Sequence, residues 1–429
     1  MEWLGEVPEH WGVKPIRRVI SVPLSNGIFK KKEEFGEGVL LVNVFDIYRP
    51  DFKVDFGALD RVNCDPSETL SYEVLSGDLF FVRSSLKQEG IAVVAMAGSC
   101  AEPVVFECHL IRARPNRQVL DGRFGSYVLN SVVYRATMVA KAKITTMTTI
   151  DQEAILSTLL PIPSVAEQTH IAAFLDRETA KIDGLVGEQR RLMELLKEKR
   201  QAVISHAVTQ GLNPHAAMKP SGIEWLGDVP THWEVSRMAN VFREVVEAGT
   251  DELPILSVSI HHGVSDKEID EEDMDRKVTR SDDRSKYKRV SRGDLVYNMM
   301  RAWQGGFGTV TVAGMVSPAY VVARPRTPME TAYIEHLLRT PQAIEQMRRH
   351  SRGVTDFRLR LYWDEFKNLG VTVPPQKETI AICAKIAEME ERLSKLAAAC
   401  ERSIDLLQER RAALISAAVT GEIDARKAV

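Results

Sequence analysis

Five cysteines in 429 residues, Cys64, Cys100, Cys108, Cys383 and Cys400, form no CxxC pair and no regular spacing. Such a set builds neither a disulfide framework nor a zinc ribbon, and free thiols in a reducing compartment are expected. No run approaches the roughly 18 consecutive apolar residues of a membrane span. The opening segment, MEWLGEVPEHW, has acids where an export signal needs a basic start and an apolar stretch, so a cytoplasmic location is expected. An excess of charge is missing too: 56 Lys plus Arg stand against 59 Asp plus Glu, a net −3, which alone speaks against a generically basic nucleic-acid binder. With 44% hydrophobic and 27% charged residues the chain is neither disordered nor fibrous, and its length suggests two to four domains.

Catalytic signatures are also lacking. There is no Walker A loop, no G-x-G-x-x-G after a strand, no H-E-x-x-H and no G-x-S-x-G. Nor is there the Asn/Asp-Pro-Pro-aromatic tetrapeptide with which an amino-methyltransferase would hold its target base; Asn213-Pro214 is followed by His215 and reads as a turn. The His261-His262 pair has no second spaced pair to complete a metal site. His10 and His232 recur beside Trp11 and Trp233 and read as structural. A non-enzyme with no cofactor or metal of its own is expected.

What is present is a repeat. EWLGEVPEHWGV (2–13) returns as EWLGDVPTHWEV (224–235) at an offset of 222, with nine of twelve positions identical. LLKEKRQAVISHAVT (195–209) returns as LLQERRAALISAAVT (406–420) at an offset of 211, so the second copy is eleven residues shorter between header and helix. The chain therefore reads header, variable block, helix, and the same again. Both blocks look mixed α/β with short strands. GDLFFVRSS (77–85) matches GDLVYNMMR (293–301), and VVFECHLIRARP (104–115) matches SPAYVVARP (317–325), each closed by Arg-Pro.

Leu175, Ile182, Gln189, Leu196 and Val203 recur every seven residues, flanked by Ile171, Leu185 and Leu192. Ile386, Leu393, Cys400, Leu407 and Leu414 repeat the series, flanked by Ile382, Met389 and Leu396. This spacing predicts two long helices with a coiled-coil seam carried by Leu175, Ile182, Leu196, Val203, Ile386, Leu393, Leu407 and Leu414. Each follows a proline (Pro163, Pro375) and stops at a glycine (Gly211, Gly421). If they pack antiparallel, the two blocks are related by a pseudo-two-fold; two independent domains with separate helical tails are the other possibility.

Charge placement says more than net charge. Residues 108–150 hold Arg112, Arg114, Arg117, Arg123, Arg135, Lys141 and Lys143 against Asp121 alone. Residues 336–361 hold Arg339, Arg348, Arg349, Arg352, Arg358 and Arg360 against Glu345 and Asp356. One basic surface per block suits a phosphate-binding face, although scattered arginines can equally solvate a helix. After each GDL strand come Arg83-Ser84-Ser85-Leu86-Lys87-Gln88 and Arg301-Ala302-Trp303-Gln304. Arg pairs bidentately with guanine and Gln with adenine, so both segments are candidate base-reading loops. Thr145, Thr146, Thr148 and Thr149 in one copy match Thr355 in the other, as phosphate ligands or as caps. The candidate DNA contacts are therefore Arg83, Ser84, Lys87, Arg112, Arg114, Lys141, Lys143 and Thr146 in the first block, and Arg301, Trp303, Gln304, Arg349, Arg352, Arg358 and Arg360 in the second.

The two headers, the run PIPSVAEQTHIAAFLDRETAKID (161–183) and the closing LLQERRAALISAAVTGEID (406–424) resemble the specificity subunit of type I restriction-modification systems. The resemblance spans the whole chain. It implies an α/β (α+β) architecture: a target-recognition domain over 1–163, a central helix over 164–211, a linker and second recognition domain over 212–374, and a C-terminal helix and tail over 375–429. It further implies binding of double-stranded DNA at a bipartite target, one half-site per domain, with the antiparallel coil fixing the unread spacer. Two methylation subunits would supply S-adenosylmethionine and the adenine-methylating site, and restriction subunits would add ATP-driven cleavage. One departure is Thr379, where the first copy has Gln168. A coiled-coil adaptor whose end domains bind proteins is the alternative from another class.

Overall fold

The computed structural model describes residues 7–144, 147–250, 252–260, 263–268, 286–353 and 359–425. The chain divides into two units: residues 1–191 with 400–429, and residues 192–399. Both long helices pass through both units. The first spans Val165–Gln210 and the second Gln376–Thr420.

The first unit is built around a four-stranded antiparallel sheet in the order Ser25–Asn26, Leu110–Ala113, Leu79–Val82, Val94–Met96. The run Leu79-Phe80-Phe81-Val82 is buried at every position. Alternation in a strand sends its side chains to opposite faces, and here both faces are covered. Leu79 and Phe81 join a core with Phe124, Tyr127 and Val128 of the helix Gly122–Asn130. Phe80 and Val82 join another with Leu40, Val42, Val104 and Phe106. Those last residues belong to a three-stranded sheet, Asp60–Val62, Phe35–Val42, Val104–Phe106, whose second pair is parallel.

The second unit repeats the plan. Its four-stranded antiparallel sheet runs Phe242–Glu244, Tyr320–Pro325, Leu295–Asn298, Phe307–Thr309. Leu295 and Tyr297 point into one core with Tyr333 and Leu337 of the helix Thr331–Leu338, and Val296 into a second with Val290 and Val316. The GDL and Arg-Pro segments paired in the sequence are thus neighbouring central strands in both units.

The headers are anchored alike. Gly12–Pro15 pairs with Leu159–Ile162, and Glu234–Arg237 with Gly370–Val373, each just before a long helix. His10 meets Glu167 at 3.2 Å and His232 meets Glu378 at 2.7 Å, tying each header to a helix start. Trp11 and Trp233 are buried. The helix-ending glycines adopt left-handed backbone, φ 78° at Gly211 and 81° at Gly421. A Cβ on Gly421 would lie 2.5 Å from Pro8 and 3.2 Å from Trp11; one on Gly211 would lie 3.2 Å from Trp233. Each header thus packs on the end of one long helix while pairing with the start of the other.

Helix pairing is visible inside each unit. In the first, Arg411 holds Asp183 at 3.0 Å and Ile415 shares a core with Ile171 and Leu175. In the second, Arg200 and Glu390 form an ion pair, and Ile204 and Val208 share a core with Ile382 and Ile386. Residue numbers rise on one helix as they fall on the other, the signature of antiparallel packing. Of the expected seam, Leu175, Ile182, Ile386 and Leu393 are buried, and Leu196, Val203, Leu407 and Leu414 partly so. The flanking Leu185, Leu192 and Leu396 correct the sequence reading, being 52%, 43% and 46% exposed. In the first helix the inward companion lies four residues after the seam position rather than three, at Thr179, Val186 and Met193, whereas in the second Met389, three residues after Ile386, packs on the core. An α-helix turns once in 3.6 residues, so the third and fourth residues fall on opposite flanks of one stripe and the surface packed against the helix decides which is covered.

Thr379 stands in for Gln168 at lower reach. Gln168 donates to the carbonyls of Val119 and Pro163 and accepts from Asp121 N–H at 2.7 Å. Thr379 bonds only the local carbonyls of Pro374 and Pro375, and the second helix still begins directly after its proline. The five cysteines are free thiols. Among the described residues no helix is long and apolar enough to cross a membrane.

Candidate nucleic-acid interface

In the first unit the central strand runs on into a small three-stranded rim. Ser84–Ser85 pairs with Thr148–Thr149, which pairs with Lys143–Ile144, all antiparallel. Ile150 N–H donates to the Arg83 carbonyl at 3.0 Å, fastening the rim to the strand end. The second unit has the same device. Leu361 N–H donates to the Met299 carbonyl at 2.9 Å, and Arg352 and Arg360 exchange backbone hydrogen bonds of 2.9 and 3.0 Å. Ile150 and Leu361 are related by the helix offset of 211, so the two rims are equivalent places in the repeat.

Arg83 is exposed, its guanidinium donating to the Cys108 carbonyl at 3.4 Å. Ser84 Oγ contacts His109 Nδ1 at 2.5 Å. Lys87 lies exposed on a turn closed by Gly90 N–H to the Lys87 carbonyl. Lys143 pairs with Asp151 at 3.0 Å, both well exposed. Such a surface pair contributes little, so the ammonium can exchange its carboxylate for a phosphate at small cost. The structure thus gathers Arg83, Ser84, Lys87 and Lys143 on one rim.

Three first-block candidates serve the fold instead. Arg112 is buried and donates to the Glu73 carbonyl at 2.5 Å; burial pushes its pKa down, as a desolvated cation requires. Arg114 grips Asp78 through two bonds of 2.8 and 2.9 Å and reaches the same Glu73 carbonyl. Lys141 points back onto Thr158 Oγ1 at 2.9 Å, and burial lowers its pKa. Other arginines of that basic run behave likewise. Arg117 bonds the Ser76 carbonyl, Arg123 bonds Asp176 and Tyr127, and Arg135 donates to the carbonyls of Glu89 and Ile91. Arg135 therefore braces the turn that carries Lys87. The basic run 108–150 is largely a set of guanidiniums closing backbone carbonyls, because buried carbonyls demand donors that the short strands do not supply.

In the second unit, Ala302–Gln304 forms a short turn after the strand. Trp303 Nε1 donates to the Met300 carbonyl at 3.1 Å and Gln304 is exposed. Arg301 precedes this turn, and the segment with Arg352 and Arg360 lies against it through Leu361 and Met299. Arg352 pairs with Glu365, and Arg349 with Glu345 at 3.2 Å on the open face of the helix Pro341–His350, whose other face buries Ala343 and Met347. Arg360 is exposed. Thr145, Thr146, Thr355, Arg358, His261 and His262 lie outside the described residues.

A feature that sequence reading missed recurs in both units. Asp294 accepts from Arg324 through bonds of 2.9 and 3.0 Å, as Asp78 does from Arg114, and both aspartates are nearly sealed from water. Each also accepts a backbone N–H of 2.8 Å from the residue three before it, Leu75 or Ser291. The hydrogen bonds that both guanidiniums donate to these aspartates raise the arginine pKa values, fixing them as cations. Among the described residues, Glu107, Cys108 and His109 place metal-capable atoms within 4.8 Å of one another. Glu107 already accepts from His109 N–H at 3.0 Å and Cys108 Sγ at 3.7 Å, and burial pushes the Cys108 thiol pKa up. Glu107 thus holds the backbone of His109, the partner of Ser84.

No protein-family model matches the chain. It is similar to the type I restriction enzyme EcoBI specificity subunit of Escherichia coli, 23% identical over 76% of this chain and 71% of that protein. It is similar to the EcoKI specificity subunit of Escherichia coli strain K12, 21% identical over 98% of this chain and 91% of that one. Among solved structures, the HsdS subunit from Thermoanaerobacter tengcongensis shares the fold with a TM-score of 0.54 and 15% identity, covering 97% of this chain and 98% of that one. A chain from a structural study of assembly and conformational transition in a type I restriction-modification system matches with a TM-score of 0.64 and 16% identity, over 97% and 100%. The chain thus has the fold of the HsdS subunits, and its curated homologues are type I restriction enzyme specificity subunits.

Proposed function

We propose that this chain is the DNA-reading, non-catalytic subunit of a type I restriction-modification complex, and that each unit reads one half of a split target. The observation that carries this reading is the recurrence of one cationic rim, with Arg83, Lys87 and Lys143 in the first unit and Arg301, Arg352 and Arg360 in the second. Phosphates along a duplex attract such rims, and side chains at their edges reach the bases. In this reading 1–163 and 212–374 are the recognition domains, and 164–211 and 375–429 the connecting helices and tail. The paired helices hold the spacing and seat two methylation subunits, which bring S-adenosylmethionine; restriction subunits bring ATP-dependent cleavage. The compartment is the cytoplasm.

The net charge of −3 fits weak DNA binding by the isolated chain, with further basic surface supplied by partners. The test is to methylate a random-sequence DNA pool with the chain and its methylation subunits and map the modified adenines. Two short sequence blocks at fixed separation, with binding that weakens steeply as salt rises, are expected. Methylation without sequence preference at any salt would favour the protein-binding adaptor instead.

A further inference from the structure

In the first-unit rim, Ser85 stands opposite Thr148, and Thr148 opposite Ile144. The three strands therefore reach the same end of the rim together, with Leu86 one residue beyond Ser85 and Ile144 at the close of its own strand. Leu86 is 85% exposed and Ile144 67% exposed. Lys87 follows Leu86, Lys143 precedes Ile144, and Arg83 lies three residues before Leu86. Two large apolar side chains held in water amid cations are unfavourable for the free protein, so a partner that covers them is favoured. The surrounding charge selects a polyanion. The second unit shows the same mixture, with Met300 beside Arg301 and Tyr362 two residues after Arg360, each 41% exposed.

Resting on the DNA-reading function above, we propose that Leu86 and Ile144 are specificity-determining residues that contact the C5-methyl group of a thymine in the major groove of the first half-site. The thymine methyl is the apolar feature of a base-pair edge in that groove, and apolar side chains recognise it where hydrogen-bonding ones cannot. Arg83, Lys87 and Lys143 set the rim on the backbone, and the two apolar tips turn toward the base edges. Arg135, through Glu89 and Ile91, holds the Leu86 turn in place as a positioning residue.

The test uses the complex with its methylation subunits on its mapped target. Each first-half-site thymine is replaced in turn by deoxyuridine, which lacks only the methyl. Loss of one buried methyl is expected to weaken wild-type binding about four-fold at one position. Leu86→Ala or Ile144→Ala is expected to bind thymine and deoxyuridine DNA equally there, with the second half-site unchanged. Leu70→Ala, which alters a 76% exposed leucine on the helix Pro66–Ser71, keeps the wild-type discrimination. Wild-type indifference to deoxyuridine throughout the first half-site, a first half-site without thymine, or full discrimination in both rim variants would overturn the assignment. A wild-type complex with no sequence preference would overturn the DNA-reading function itself.

Discussion

Asp78 and Asp294 show how much one carboxylate can hold at a strand start. Each is nearly sealed from solvent, takes two guanidinium bonds and caps its own turn. Removing one partner of a buried pair leaves the other charge unpaired, at a typical cost of about 3–5 kcal/mol. Asp294→Ala is therefore expected to lower the urea midpoint of unfolding strongly, and Asp294→Ala with Arg324→Leu to recover part of that loss. Equal midpoints for the single and double variants would contradict the pairing. On the rim the opposite is expected: under the proposed function, Arg83→Ala and Arg301→Ala should leave the urea midpoint nearly unchanged and each lower the salt slope of DNA binding by about one. The Gly-Asp-Leu and Arg-Pro segments were legible in the sequence as matching strands, but not as ion pairs. The partners lie 36 and 30 residues apart, and nothing local says which Arg of a basic run turns inward. Arg112 and Arg114 illustrate this, since neutral-looking strand positions and surface positions carry the same residue type.

Among the elements, the long helices were the most legible, because their seven-residue period, leading prolines and closing glycines are local signals. The inward flank was not, since Leu185 and Thr179 are told apart by the partner surface rather than by their own chemistry. Leu393→Ala removes a buried seam side chain and is expected to cost about 2–5 kcal/mol, whereas Leu185→Gln stays within about 0.5 kcal/mol. Thermal unfolding of the two variants checks this, and equal losses would restore the three-residue companion. Gly421→Val is expected to destabilise the protein, because its left-handed backbone and the Pro8 ring 2.5 Å from a Cβ reject a side chain. An unchanged melting temperature would mean that the first header does not pack on that helix end. The rim strands, only two residues each, were not legible as strands. Their pairing depends on residues 84–85 and 148–149 meeting across the fold.

For the molecule as a whole, the repeat carried most of the reading, and the bulk charge carried least. A net −3 averages acidic stretches against a few projecting cations, and most of the positive charge in 108–150 is spent inside the first unit. The proposed function assigns spacing to the paired helices, so lengthening both by whole turns is expected to lengthen the unread spacer and leave both half-sites intact. Methylation mapping of the lengthened variant reads this directly, and an unaltered spacer would contradict it. The central claim is that each unit reads its own half-site. It is tested most directly by mapping the adenine-methylation motif of three complexes: wild type, Arg83→Ala with Lys143→Ala, and Arg301→Ala with Arg360→Ala. Relaxation of one half of the motif in the first variant and of the other half in the second is the predicted result; the same loss across both halves in either variant would contradict it.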